Sequence, residues 1–391
     1  MSELLNHTSS PTPSSSTAPG TKSSLIGSKR RMNRVGLLTS GGDCPGLNAV
    51  IRTIAKSAMR RYGIDVWGIE DGFIGLIQNR MQQLRDADVS NILTLGGTIL
   101  GTNNKCDPRR YPTKNNGGAQ FVDVTNRCLE HIELRQLDAL IVIGGDGSMA
   151  VTAHLLAQGV PCIGVPKTID NDLFGTDITF GFSTAVSIAT DAIDRIHTTA
   201  ASHHRAMVIE VMGRNAGWIA LYAGIAGGAD VILLPEIAFD LEKVCAAVVY
   251  RCNRGKRSSI LCVAEGAAPK GGKQAVARID PSSPEPVRLG GIGQFVATAI
   301  EKTTGIEART TVLGHVQRGG EPIPADRVLA IQFGHAAVEI LAQGRMGRLV
   351  VMRAGAISDI DLTEVVGQQR RVPMDSSLLL AARDVGTCFG D

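Results

Sequence analysis

Two aspartates set two residues apart, Asp170 and Asp172 in Pro166-Lys167-Thr168-Ile169-Asp170-Asn171-Asp172, are suited to proton chemistry. One carboxylate can accept a hydroxyl proton while the other orients it or its neighbours. Taken alone, such a triplet is also an ordinary turn. Asp146 lies inside Gly144-Gly145-Asp146-Gly147-Ser148, where an acid between glycines suits a Mg²⁺ ion bridging nucleotide phosphates; a purely structural loop is the competing reading. Ser40-Gly41-Gly42-Asp43-Cys44-Pro45-Gly46-Leu47-Asn48 offers glycines through which backbone N–H groups approach an anion, followed by a helix start of partial positive charge. A tight strand-to-helix turn would look the same. Arginine stands near glycine in Met212-Gly213-Arg214-Asn215-Ala216-Gly217 and in Gly314-His315-Val316-Gln317-Arg318-Gly319-Gly320. Guanidinium groups bind phosphate in a bidentate fork, so Arg214, Arg309 and Arg318 read as one pocket for an anionic substrate. For any single arginine, surface solvation is the plainer account.

These residues need a scaffold, and the pattern of apolar runs supplies one. Strands are predicted at 34–39, 138–143, 160–165, 206–211, 231–234, 260–264 and 310–313, with a helix from Asn48 to Arg61. Short apolar runs separated by helix-length segments predict mainly parallel sheets buried on both faces. Ligands in such sheets bind beyond the carboxyl ends of the strands. Each chemical motif falls just after a strand, and that coincidence says more than any motif alone.

Composition bounds the rest. The chain has 391 residues, 43% hydrophobic and 20% charged, which excludes wholesale disorder and gives room for more than one core. No run of 18 apolar residues occurs, so no membrane partner is expected. The net charge of +3 resides in residues 1–31, where Glu3 faces Lys22, Lys29, Arg30 and Arg31; the neutral body gives no support to nucleic-acid binding. Residues 1–24 are Ser/Thr/Pro-rich and aperiodic, which predicts a disordered tail, with ordered chain from about Met32. The start lacks the basic and apolar regions of a secretory signal, although its Ser-rich, acid-poor composition also suits an organelle transit peptide. The eight cysteines form no CxxC pair, and Cys162 and Cys262 lie in strand-like runs; a reduced, cytoplasmic protein without structural zinc is expected. Neither HExxH nor GxGxxG occurs, which argues against a zinc hydrolase and a dinucleotide dehydrogenase.

Together, TSGGDCPGLNAVIR, IGGDGS, PKTIDND, VMGRNAGW and TVLGHVQRGG closely resemble the 6-phosphofructokinase family, of phosphofructokinase A type, in its order and over about nine-tenths of the chain. The resemblance implies an α/β fold of two Rossmann-like domains with mainly parallel sheets covered by helices. It implies a phosphoryl-donor domain at 32–181 plus 317–367, and a fructose 6-phosphate domain at 182–316 plus 368–391, after the tail at 1–31. It further implies Mg²⁺-dependent, ATP-dependent phosphorylation of fructose 6-phosphate to fructose 1,6-bisphosphate in glycolysis, in an allosteric homodimer or homotetramer. By the same resemblance, Asp170 is the general base toward the sugar 1-hydroxyl, supported by Asp172, and Thr168 binds the transferring phosphoryl group or the sugar. Asp146 holds the metal. The donor is cradled by Gly42 and by Gly145, Asp146, Gly147 and Ser148. Fructose 6-phosphate is held by Met212, Gly213, Arg214, Glu265, His315 and Arg318, while Arg205 and Arg309 reach in from a neighbouring subunit.

The donor signature is mixed. ATP-using relatives carry glycine at position 147, where the aspartate of pyrophosphate users would crowd and repel a nucleotide α-phosphate. Lys167, however, is the residue typical of pyrophosphate users, placed where many bacterial ATP enzymes have glycine. The combination resembles an intermediate, ATP-using branch. Asn104 stands where many relatives place a donor-binding arginine, with Lys105 beside it as a substitute point charge. The expectation is ATP, with pyrophosphate or ADP as alternative donors and a non-catalytic regulatory subunit as a more distant one. Arg52, Arg80, Arg254 and Lys256 match a candidate effector-phosphate site of regulated relatives, although His197 replaces an arginine of that site; solvated or interface charges are the competing account.

Overall fold

The computed structural model describes residues 32–115, 118–280 and 286–391. The tail predicted at 1–31 lies outside them. Strands in chain order are β1 (Arg34–Thr39), β2 (Asp65–Ile69), β3 (Met81–Gln83), β4 (Tyr111–Asn115), β5 (Gly118–Val122), β6 (Ala139–Gly144), β7 (Cys162–Pro166) and β8 (Ala206–Val211). They continue as β9 (Val231–Leu233), β10 (Ser259–Ala264), β11 (Val276–Ile279), β12 (Val287–Leu289), β13 (Ala308–Val312), β14 (Arg348–Arg353) and β15 (Ala356–Asp361). Among the described residues, seven strands form one sheet in the order β15-β14-β7-β6-β1-β2-β3, and four form another in the order β13-β8-β10-β9. The smaller sheet is parallel throughout, and the larger is parallel except at its edges, where β3 and β15 run antiparallel. Two antiparallel hairpins, β4–β5 and β11–β12, complete the strands.

Parallel strands must be joined by crossovers, and helices supply them on both sheet faces. Burial follows: every residue of β6, β7 and β10 is buried. The predicted strands are all present with ends moved by one or two residues. The outer two strands on each side of the larger sheet, β2 and β3, β14 and β15, were not predicted, because their short or partly exposed runs lack the continuous apolar stretch of the central strands. Cys162 and Cys262 are fully buried, and burial pushes both thiols up to about 12, so they act as small hydrophobes.

The first helix shows how the site is carried. Gly46 turns the chain at φ 105°, and a side chain there would lie 2.9 Å from the Phe180 ring. Helix Leu47–Ser57 then buries Leu47, Val50, Ile51 and Ile54, the spacing of a core-facing stripe. It ends in a wider π turn, Ala58–Tyr62, which replaces the last predicted helical turn. Its principal neighbour is helix Pro324–Ala342, where Phe333 meets Phe180 edge-on with ring centroids 6.4 Å apart. The chain passes from the larger sheet (β1–β3, β6 and β7) to the smaller (β8–β10 and β13) and back (β14 and β15); its last residues return to the smaller sheet, where Cys388 pairs with Val231.

Phe333 is fully buried between these helices. Phe333→Ala is expected to destabilise the protein by about 3–5 kcal/mol in denaturant unfolding, the usual cost of emptying a packed aromatic site.

Candidate active site

The carboxyl ends of β1, β6 and β7 in one sheet and of β8, β10 and β13 in the other open on a common cleft of about 890 Å³. Ligand pockets commonly span about 300–1,000 Å³, so this volume accommodates two small substrates side by side. Among the sequence-predicted residues, the cleft is lined by Gly42, Asn104, Lys105, Gly145, Asp146, Gly147, Ser148, Lys167, Thr168, Asp170, Asp172, Met212, Arg214, Glu265, His315 and Arg318. Residues spread over nearly 280 positions therefore converge on one surface.

On the first side, the loop after β1 is tied down by backbone bonds. Ser40 N–H donates to the Ile143 carbonyl at 2.9 Å, and Gly41 N–H to that of Asn103 at 3.1 Å. The Thr102 hydroxyl adds a 2.7 Å bond to the Gly41 carbonyl. After β6 the helix Asp146–Ala157 begins at the acid itself, and Gly147 N–H donates to Asp146 Oδ1 at 2.7 Å. A Cβ built on Gly147 meets no protein atom within 4 Å. Lys167, only 3% exposed, aims its amine at the Gly42 carbonyl, and burial lowers its pKa. No cluster of three or more His, Cys, Asp or Glu side chains suited to hold a metal occurs among the described residues. A single carboxylate beside a glycine turn instead fits Mg²⁺ that takes its remaining ligands from phosphate and water.

The loop after β7 is over-determined. Asp170 N–H donates to the Thr168 hydroxyl at 3.1 Å, and the Thr179 hydroxyl to the Thr168 carbonyl at 2.7 Å. Asn171 adopts φ 53°, and its Oδ1 accepts the Thr179 N–H at 3.0 Å. Asp170 Oδ1 is buried without a hydrogen-bond partner, while Oδ2 stands 4.0 Å from the Arg318 guanidinium. Burial raises the pKa of Asp170, against the pull of Arg318, Arg214 and Lys167. Asp172 is pushed up to about 7, first by burial and then by the charges of Asp170 and Asp146.

The second side carries the cations. Gly213 sits at φ 138°, with no room for a side chain because the Ala216 carbonyl oxygen would lie 2.6 Å away. Gly213 thus shapes the loop that presents Met212 and Arg214 without lining the cleft itself. Arg214 N–H donates to Glu265 Oε1 at 3.1 Å, and burial pushes Glu265 up to about 7. Met212 N–H donates to Gln317 Oε1 at 2.8 Å, which binds this loop to the turn Gly314–Arg318. Arg318 crosses the cleft to donate to the Asp43 carbonyl at 3.0 Å.

One expectation needs correction: Arg309 does not join Arg214 and Arg318 in the chain's own pocket. It pairs with Glu301 at 3.1 Å and with Glu307, and Arg205 pairs with Glu307 at 2.8 Å. Neither lines the cleft. The candidate effector residues Arg52, Arg80, Arg254 and Lys256 do not line it either. Arg80 is paired with Asp71 at 2.7 Å and Glu70 at 3.2 Å, and Arg254 donates to the Tyr250 hydroxyl at 2.6 Å. His197 Nε2 donates to the Gly227 carbonyl at 2.6 Å.

Conversely, sequence reasoning missed Arg278 and Arg288, which line the cleft from the β11–β12 hairpin. Lys105 is ion-paired to Asp280 of the same hairpin at 3.0 Å. The available signal was weak: arginines in two short runs, with nothing to show that they pair.

A site that offers anions many donors, and a reacting hydroxyl one buried base, is suited to phosphoryl transfer. The Phosphofructokinase family profile matches residues 34–341, and the chain belongs to that family. It is 50% identical over 362 residues to the ATP-dependent 6-phosphofructokinase of Chloroflexus aurantiacus, covering 92% of this chain and 99% of that one. It is also 47% identical over 358 residues to the pyrophosphate–fructose 6-phosphate 1-phosphotransferase of Streptomyces coelicolor, covering 91% and 100%. Among solved structures, phosphofructokinase from Saccharomyces cerevisiae superposes with a TM-score of 0.70 at 29% identity, over 85% of this chain and 45% of that much longer one.

If ionised Asp170 is the base, activity falls as pH drops through its raised pKa, at a higher pH than for an exposed carboxylate. In a kcat/KM pH profile, Arg318→Gln removes a charge that favours ionisation and moves this acid limb to higher pH.

Proposed function

We propose that this chain is an ATP-dependent 6-phosphofructokinase, transferring the terminal phosphoryl group of ATP to the 1-hydroxyl of fructose 6-phosphate. The observation that carries this reading is the cleft's division. An open glycine turn with Asp146 lies on one side, Met212, Arg214, Glu265, His315 and Arg318 lie on the other, and Asp170 lies between. Asp170 Oδ1, free of any hydrogen bond, accepts the hydroxyl proton as the oxygen attacks. Asp172 and Glu265, both near 7, keep the site from carrying several full negative charges around that base at neutral pH. Arg214 and Arg318 orient the anionic sugar and offset charge that develops during transfer. Asp146 would hold Mg²⁺, which when bound neutralises charge on the transferring phosphate.

ATP is favoured over pyrophosphate by the space at Gly147, into which a nucleotide phosphate fits without displacing protein. Lys167, the one feature typical of pyrophosphate users, is engaged by the Gly42 carbonyl and holds the donor loop. Arg278 and Arg288 supply guanidinium groups to the cleft that Asn104 cannot. The Streptomyces relative keeps pyrophosphate as the second reading.

Strand membership supports a donor half at 32–181 plus 317–367 and a sugar-phosphate half at 182–316 plus 368–391. The position of Arg205 and Arg309 outside the chain's own cleft supports a homo-oligomer in which they complete a neighbour's site. An effector site at Arg52, Arg80, Arg254 and Lys256 rests on the family resemblance. Among the described residues no helix is long and apolar enough to cross a membrane, and the free cysteines suit the cytoplasm.

The test is a donor panel of ATP, ADP and pyrophosphate, following fructose 1,6-bisphosphate with Mg²⁺ and fructose 6-phosphate. Turnover is expected with ATP. Gly147→Asp should lose most of that turnover with little change in thermal stability, since a Cβ at this position meets no protein atom within 4 Å. Wild-type turnover with pyrophosphate alone would overturn the ATP assignment.

A further inference from the structure

A segment far along the chain, Gln369–Val372, touches both reactive loops. Arg370 N–H donates to the Asp172 carbonyl at 2.8 Å, and its guanidinium Nη1 to the Asn171 carbonyl at 3.1 Å. The same guanidinium stacks on the Trp218 ring, 4.0 Å from the centroid, and Trp218 Nε1 donates to the Arg370 carbonyl at 3.1 Å. Trp218 is only 5% exposed and directly follows the loop that presents Met212 and Arg214. Two residues on, Val372 N–H donates to Glu236 Oε1 at 2.9 Å, and that carboxylate also accepts the Gly217 N–H at 3.0 Å.

We propose that Arg370 is a positioning residue for phosphoryl transfer: clamped on Trp218, it fixes the left-handed turn at Asn171 and thereby aims Asp170. The physical reason lies in that turn. Left-handed backbone is uncommon outside glycine, and although Asn tolerates it better than most residues, a single such turn is fixed in one orientation by the bonds its surroundings make to it. Thr179 holds the Asn171 side chain, but Arg370 is what holds its carbonyl. A bound guanidinium with a flat aromatic backing is rigid in a way that a lysine ammonium is not. The clamp also references the base to the sugar-phosphate loop, because Trp218 and Gly217 belong to that loop's end. Arg370 does not line the cleft and needs no contact with substrate.

The inference rests on Asp170 as the base, and a double-mutant cycle separates the two. Arg370→Ala is expected to lower kcat by about 10- to 100-fold, the scale of a misplaced catalytic group, with the KM for ATP within about twofold. In an Asp170→Asn background the same change should cost less than about twofold, since no base remains to be aimed. Arg370→Lys, which keeps the cation, should restore only part of kcat and carries the test if the alanine variant does not fold. Trp218→Phe keeps a stacking face and should lose less than Arg370→Ala. An equal loss in both backgrounds, or a kcat within twofold of wild type for both Arg370 variants, would overturn the proposal. Asp170→Asn with turnover within a few-fold of wild type would instead remove the base assignment itself, and this role of Arg370 with it.

Discussion

The site depends on keeping one carboxylate ionisable in a place that water scarcely reaches. Burial alone drives Asp170 towards its protonated form, and a protonated carboxyl cannot accept a proton. The structure opposes this with three cations, Arg318, Arg214 and Lys167, none near another in sequence. They arrive from the ends of β13, β8 and β7, so the balance exists only while both sheets face each other across the cleft. Burial still outweighs the cations, which is the sense required of a base working near neutral pH. A buried charge so arranged is a poor contributor to stability and a useful one to chemistry.

Two of these cations have a second task that fixes their position. Arg318 spans the cleft to the Asp43 carbonyl, and Lys167 reaches the Gly42 carbonyl in the same donor loop. The groups that oppose burial of Asp170 therefore also hold the loop proposed to cradle the donor. This changes how the mixed donor signature is understood. Lys167 reads in sequence as a spare cation for pyrophosphate; in the folded chain its ammonium is buried and engaged. The cations added to the donor side come instead from the β11–β12 hairpin, which Lys105 pins through Asp280.

Legibility followed the range of the interaction. The central parallel strands were readable because their burial on both faces leaves continuous apolar runs such as Ala139–Gly144, whereas the parallel strands β2 and β14 beside the edges were not. The motifs were readable because strand, turn and helix start are contiguous. Edge strands such as β3, with one buried residue in three, carry no such run. The hairpin arginines escaped notice because only pairing distant in space brings them to the cleft. Arg309 leaves the single pocket read for it with Arg214 and Arg318 for the opposite reason: it follows the rule of a strand-borne arginine, yet Glu301 and Glu307 hold it elsewhere within this chain.

Two bulky or polar residues in left-handed backbone, Asn171 and Arg214, sit one in each reactive loop. Glycine would adopt either conformation more easily, but would surrender the side chain the chemistry uses at Arg214 and the Asn171 amide that anchors its own turn. The fold meets this with bonds to the strained units: Glu265 accepts the Arg214 N–H, while Thr179 and Arg370 hold Asn171. Glu265 directly follows β10 and Arg370 lies far along the chain, while Thr179 sits later in the same connection as Asn171. Bonds from distant parts of the chain thus hold the left-handed turns, and the two loops are referenced to each other through Arg370 and Trp218.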